Sequence, residues 1–159
     1  MKTLFGNRLF LVVLILAVLI IVAGVASYVF ISRAAAAPPS ATCGTVNTHA
    51  GGLQAFNAGA TSAENCFWNV YQHCGAMTLV VHYMGTDTGD DRTFWPTSQN
   101  GRCTILGQTT FYSANGGGSS HTSSFTCLSV TRQADGSLLF SHCSDENGTE
   151  DLAAPPYKP

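Results

Sequence analysis

The hydrophobic pattern of this chain begins with one long apolar run, from Leu9 to Ile31, that contains no charged residue. As an α-helix rising ~1.5 Å per residue, the run would be roughly 34 Å long, enough to cross the hydrocarbon core of a bilayer. Two basic residues precede the run and one follows it, which favours a cytoplasmic N-terminus. The pattern predicts a transmembrane helix or signal anchor at residues 9–31, with residues 1–8 in the cytoplasm.

The alternative to an anchor is a cleaved export signal, because the alanines at 34–37 form small-residue cleavage frames. Signal cores are usually about 7–15 residues long, so the longer run favours the anchor. Residues 32–42 form an Ala/Pro linker, residues 43–149 hold an extracytoplasmic domain, and residues 150–159 are predicted to be a disordered tail. We therefore predict a single-pass cell-membrane protein, with a secreted protein as the alternative.

One segment of the domain has helical periodicity. Its apolar positions have the spacing of one helical face and are Ala63, Cys66, Phe67, Val70, Tyr71 and Cys74. Thr61 and Glu64 form a capping-box signature, and Gly75 stands where a helix commonly ends. We predict a helix from about Ser62 to Cys74, with Glu64 on its polar side.

The rest of the domain, from residue 76 onward, has the alternating pattern and the turn residues of strands. Residues 77–84 are apolar and rich in β-formers, and Asn-Gly at 100–101 and Asp-Gly at 135–136 mark two hairpin turns. The prediction is an α+β domain in which one helix packs on an antiparallel sheet of about five strands. The architecture resembles cystatin-like rolls by analogy alone. The cystatin signature Gln-x-Val-x-Gly does not occur here, so no inhibitor function follows from it.

The cysteines predict a disulfide framework, because all six follow the apolar run and their number is even. They are Cys43, Cys66, Cys74, Cys103, Cys127 and Cys143. Cys66 and Cys74 would lie about 12 Å apart along the predicted helix, so each is expected to bond to a strand instead. The Asp-Gly hairpin brings Cys143 opposite Leu128, and a bulge would pair it with Cys127. Free thiols and a zinc site are the alternatives.

The charge of the exported part excludes one class of partner. Three of the seven basic residues precede residue 34, whereas all nine acidic residues follow it, so residues 34–159 carry a formal net charge of −5. Such a surface would repel a phosphate backbone. We therefore expect no nucleic-acid partner.

The acidic segment at 87–91 is the strongest candidate for chemistry. The triplet Asp-Thr-Gly at 87–89 matches the aspartic-protease motif, but it follows Gly-Thr here rather than apolar strand residues. A hairpin turn accounts for these residues. Asp87, Asp90 and Asp91 could instead gather around Ca²⁺, although solvated acidic turns are commoner. We assign no catalytic residue, no metal and no cofactor.

Three aromatic residues complete a candidate ligand surface. Trp68 lies at the edge of the polar side of the predicted helix, and Phe94 and Trp95 lie in a strand that Pro96 marks as an edge strand. Together with the three aspartates they form a candidate surface for an extracellular protein or glycan. The alternative is that the aromatic side chains cap the small core.

These patterns favour a membrane-anchored extracytoplasmic module that binds a partner or has a structural role and has no catalytic activity. Contact with the membrane would run through residues 9–31. The alternative is a secreted, signal-cleaved hydrolase or protease-inhibitor-like protein that uses the acidic segment at 87–91.

Overall fold

The computed structural model describes residues 14–16, 18, 37–48, 54–85, 88–113 and 121–157. Residues Ala37–Pro159 form one compact unit. The cytoplasmic N-terminus predicted at 1–8, and all of the predicted membrane segment except residues 14–16 and 18, lie outside the described residues. The predicted transmembrane helix is not found, since no helix within the described ranges is both long and apolar enough to cross a membrane.

Eight strands and one helix make up the described domain. In chain order they are β1 (Thr42–Thr48), α1 (Ala60–Gln72), β2 (Thr78–Met84), β3 (Thr88–Gln99), β4 (Arg102–Ser113), β5 (His121–Cys127), β6 (Ser129–Arg132), β7 (Leu138–Asp145) and β8 (Gly148–Ala154). The strands form one sheet in the order β1-β2-β3-β4-β5-β7-β6, and β8 also pairs with β7. This sheet curls into a half-barrel.

The sheet is mixed, which corrects the predicted fold class. β1 and β2 are parallel, while the other strand pairs of the described sheet are antiparallel. A parallel pair needs a crossover connection, and α1 supplies it. The prediction of one helix on about five antiparallel strands, with a cystatin-like roll as its analogue, is therefore wrong. β1 lies in a glycine-rich stretch without clear periodicity, and β8 includes residues 150–154 of the predicted tail.

The helix α1 begins earlier than predicted, and its N-terminus is built differently. Gly59 is the N-cap, and no side chain caps the first turn. Glu64 shares the buried face of α1 with Phe67, is only 2 % exposed, and has no hydrogen-bond partner for its Oε1 atom. Burial raises the pKa of Glu64 to about 8, and Arg132 opposes this shift while Asp135 adds to it. The predicted capping box is therefore wrong, because Glu64 faces the core instead of the helix end.

Two disulfides attach the helical region to the sheet. Cys43 in β1 bonds to Cys66 in α1, and Cys74, just after α1, bonds to Cys103 in β4. The prediction that Cys66 and Cys74 do not pair, and that each is tied to a strand, is confirmed. The helix is thereby fixed at two points on two different strands.

The third disulfide, Cys127–Cys143, is the pairing that the sequence favours, but a different turn produces it. The turn between β6 and β7 has three residues, because the Gln133 N–H donates to the Ser137 carbonyl and Gly136 adopts a φ of +92°. A three-residue turn that ends on a left-handed glycine is a common hairpin connection. It shifts the register by one position, so the two cysteines face each other with Cα atoms 3.8 Å apart. The left-handed Gly136 is the G1 bulge of this turn, so the bulge that pairs the two cysteines lies in the turn itself.

Three contacts between aromatic rings show how the core holds α1 on the concave side of the sheet. Phe94 stacks on Phe140 with ring centroids 4.0 Å apart, and Phe125 meets Phe94 edge-on at 5.4 Å. Phe67 of α1 approaches Phe140 at 5.7 Å. Aromatic pairs of this kind contribute stability beyond the area they bury. The ring cluster therefore fixes the helix against β3, β5 and β7.

Gly107 in β4 is expected not to tolerate a side chain. A Cβ atom there would lie 2.1 Å from the ring of Phe125. Gly107→Ala should displace this ring and lower the free energy of unfolding by about 2–3 kcal/mol, as measured by urea denaturation. Gly59→Ala is the matched control, because its φ is −73° and the nearest atom would lie 3.8 Å from the new Cβ. Similar losses in both variants would contradict this account of the packing.

A short segment after β1 joins the two ends of the curled sheet. Ala55 forms isolated bridges to Thr48 in β1 and to Tyr157 beyond β8, and its N–H donates to the Pro156 carbonyl at 3.2 Å. Residues 155 and 156 are buried. The chain after β8 therefore packs as part of the fold and brings β8 towards β1 and β2.

Candidate ligand-binding cleft

A cleft lies on the concave side of the sheet where the apolar core ends. Phe94 of β3 is in the core, whereas Arg92 and Asp90, which alternate with it on the same face, line the cleft. The cleft has a volume of about 730 Å³ and is lined by β2, β3, β4 and β8. A smaller cavity of about 300 Å³ adjoins it and shares part of its lining, including Phe111 and Glu150.

Arg92 is the central side chain of the cleft. Its Nε donates to Asp90 Oδ2 at 2.7 Å, and its Nη1 donates to Glu150 Oε1 at 3.5 Å. Its guanidinium carbon also lies 4.9 Å from the centroid of the Tyr83 ring. The side chains of Arg92 and Asp90 are 21 % and 17 % exposed, against 66 % for Glu150. The pair with Asp90 is therefore sheltered, whereas the exposed contact with Glu150 contributes little stability.

Tyr83 spans the cleft at one end. Its hydroxyl donates to the carbonyl oxygen of Ala153 and so links β2 to β8. Burial raises the pKa of Tyr83 to about 12, with Arg92 opposing the shift and Asp90 and Glu150 adding to it. The hydroxyl therefore stays protonated at neutral pH and remains a hydrogen-bond donor.

The Phe111 side chain is exposed where it lines the cleft. Phe111 of β4 pairs with Asp90, so it shares the face of Asp90, and it is 46 % exposed. Met84 ends β2 at the border of the cleft, but it alternates with Tyr83 and so faces the other side of the sheet. Exposed apolar surface rimmed by polar groups is typical of binding sites. With Arg92 and Tyr83, the Phe111 ring gives the cleft a few fixed polar groups beside an apolar wall.

The structure separates the aspartates that the sequence grouped. Successive residues of a strand face opposite sides of the sheet, so Asp90 is in the cleft and Asp91 is on the convex face. Asp87 lies outside the described residues. Within the described ranges, no three His, Cys, Asp or Glu side chains come together as a metal would require. A Ca²⁺ ion held jointly by Asp90 and Asp91 does not fit this geometry.

On the convex face, Asp91 belongs to a cluster of three side chains. Its Oδ1 atom contacts His82 Nδ1, and the Tyr112 hydroxyl lies 2.9 Å from His82 Nε2. The His82 and Tyr112 rings are nearly parallel, with centroids 5.5 Å apart. An aspartate can orient a histidine for acid–base chemistry, but a reacting group must also be within reach. Here both ring nitrogens already contact protein atoms, and we assign the cluster no catalytic role.

The aromatic residues of the predicted ligand surface lie elsewhere. Phe94 is fully buried and stacked on Phe140, and Trp95, on the other face of β3, is 4 % exposed. Trp68 is half-buried against the core, with its ring centroid 6.0 Å from that of Tyr71. The three side chains therefore pack in the fold, and none of them lines either described cavity.

Sequence reasoning missed several residues that line the cleft, namely Tyr83, Met84, Arg92, Phe111 and Glu150. The alternation of β3 carried a usable signal, because Arg92 must share a face with the buried Phe94. Glu150 carried no such signal, since the residues around it lack periodicity.

Comparison with protein-family models, curated proteins and solved structures gave no match to this chain.

Proposed function

We propose that this chain is an exported binding module without catalytic activity, and that its ligand occupies the cleft between β8 and β2–β4. The observation that carries the proposal is the cavity of about 730 Å³ around Arg92. Ligand pockets are commonly about 300–1,000 Å³ in volume and combine apolar walls with a few well-placed polar groups. The volume of this cleft lies in that range, and its lining combines the apolar Phe111 with the polar groups of Arg92 and Tyr83.

The disulfides and the charge support an extracytoplasmic location, either at the cell surface or secreted. Disulfides persist in oxidising compartments and are rare in the cytosol, and this domain has three. The net charge of −5 on residues 34–159 keeps such a domain soluble and disfavours anionic partners. The proposed partner is an extracellular protein or glycan that reaches the cleft.

The polar groups of the cleft are ordered before any ligand binds. Asp90 fixes the Arg92 guanidinium, and Ala153 fixes the Tyr83 hydroxyl. Groups that are already held in place lose little conformational entropy on binding. We expect Arg92 and Glu150 to form the polar contacts, while Phe111 covers the apolar part of the ligand.

The test uses arginine amide and methyl glucoside as probes of the full chain, with binding followed by NMR shifts. We expect at least one probe to shift resonances of the cleft, and Phe111→Ala to weaken its affinity about tenfold through loss of roughly 1–2 kcal/mol of apolar contact. Leu128→Ala is the matched control, because Leu128 is 63 % exposed and lines neither described cavity.

The proposal fails if neither probe shifts any cleft resonance at millimolar concentration. It also fails if the shifts occur but Phe111→Ala and Leu128→Ala alter them equally, because binding would then be located outside the cleft.

A further inference from the structure

The strand β8 has one free edge, and this edge faces the cleft. In the described part of the chain, β8 pairs with β7 and with no other strand. The Ala153 carbonyl accepts the Tyr83 hydroxyl from across the cleft, so it points away from β7. The N–H and C=O of a strand residue point to the same edge, and residues two apart repeat this direction. The main-chain groups of Asp151 therefore also point into the cleft.

The cleft is acidic along this edge. In the part of the chain that the structure describes, its charged lining residues are the carboxylates Asp90, Glu150 and Asp151 and the cation Arg92. Asp90 already neutralises Arg92 at 2.7 Å. The two carboxylates of β8 point to opposite faces of the strand, and both residues are exposed. A partner strand would therefore meet a negative charge on each of its two faces.

We infer that the cleft binds an extended peptide with basic side chains, which adds as a new strand to the free edge of β8. This inference rests on the proposed function and names its ligand class. The N–H and C=O of Asp151 and the N–H of Ala153 provide the main-chain pairing, while the Ala153 carbonyl keeps its bond to the Tyr83 hydroxyl. Glu150 and Asp151 select lysine or arginine side chains. Phe111, which shares the face of Asp90, then covers an apolar side chain between the basic ones.

The same charges argue against a second copy of this chain as the occupant. Two β8 edges brought together would place Glu150 and Asp151 of one copy against those of the other, and like charges on an edge strand oppose such pairing. A partner of opposite charge gains from the carboxylates that repel a copy. Charge complementarity therefore favours a basic peptide.

The probe is an acetylated and amidated hexapeptide of alternating lysine and valine, titrated into the full chain by calorimetry. We expect it to bind and to slow hydrogen exchange at the amides of Asp151 and Ala153. The matched glutamate–valine hexapeptide should not bind. A lysine–valine peptide that is N-methylated on alternate residues keeps its charges but cannot pair along an edge, and we expect its affinity to fall at least tenfold.

Protein variants test the charge selection. Glu150→Gln combined with Asp151→Asn should weaken the lysine–valine peptide about tenfold, and asparagine at 151 can still accept the His142 N–H that Asp151 Oδ1 accepts at 2.7 Å. Glu146→Gln is the control, since Glu146 is exposed and lines neither described cavity.

The outcomes separate this inference from the proposed function. If arginine amide or methyl glucoside binds but the hexapeptide does not, or if the N-methylated peptide binds equally well, strand addition is overturned and the binding module stands. If none of the probes binds, both are overturned. Dimerisation of the chain through β8, seen by light scattering and exchange protection without peptide, would also overturn the inference.

Discussion

Between pH 4.5 and pH 8 the domain is expected to lose about 4 kcal/mol of its free energy of unfolding through Glu64, and Glu64→Gln is expected to abolish that loss. Burial raises the pKa of this carboxyl from 4.5 to about 8. Within this window the folded state binds more protons than the unfolded state, so the stability present at low pH is lost as the pH rises. Above the window, the core must hold a carboxylate that Arg132 compensates only in part.

Urea denaturation followed by tryptophan fluorescence, with the disulfides intact, measures this pH dependence. Glutamine keeps the size of the side chain and removes its titration. The control is Glu146→Gln, which changes an exposed carboxylate and should retain the wild-type slope. If the wild type and Glu64→Gln ran parallel across the window, Glu64 would have to be stabilised as an anion by a partner.

Removing the disulfide Cys74–Cys103 by a double alanine substitution is expected to lower the free energy of unfolding by about 3–4 kcal/mol. The bond closes a loop with a sequence separation of 29 and so restricts the unfolded chain. It also holds the C-terminal end of α1 to β4. We therefore expect the last turn of the helix to open more often in the variant.

Hydrogen exchange can measure whether the last turn of α1 opens more often without Cys74–Cys103. Amides near Tyr71 should lose protection when Cys74–Cys103 is removed, whereas removal of Cys127–Cys143 should leave them as they are. The second bond joins the end of β5 to β7 and closes a separation of only 16. Equal protection of α1 in both variants would show that packing alone holds its C-terminal end.

The sequence predicted correctly those parts of the fold that depend only on residues close together in the chain. The spacing from Ala63 to Cys74 identified the helix, and helix geometry alone excluded a bond between Cys66 and Cys74. The Asp-Gly pair at 135–136 placed the hairpin that contains Cys127–Cys143, although the loop has one more residue than predicted. Each of these inferences needs only the geometry of one helix or one turn.

The rest of the fold depends on contacts between distant segments. β1 and β8 have weak patterns of their own and become strands because β2 and β7 pair with them. Glu64 looks polar on a helical wheel, yet the curl of the sheet covers its face of α1. The cleft joins residues of β3 and β8, so the meeting of Arg92 with Glu150 could not be predicted without that curl. The separation of Asp90 from Asp91 needs only the alternation of β3.

The two bonds that attach α1 also determine how the domain would carry tension. A pull on the chain at residues 37–41 reaches Cys43 before it reaches the rest of β1. From there the force passes through covalent bonds to Cys66, along the helix, and through Cys74 to β4. The chain between Cys43 and Cys66 spans a sequence separation of 23, about 80 Å when extended, and carries no tension as long as the first bond is intact. Reduction of that bond would turn a stiff link into an extensible one.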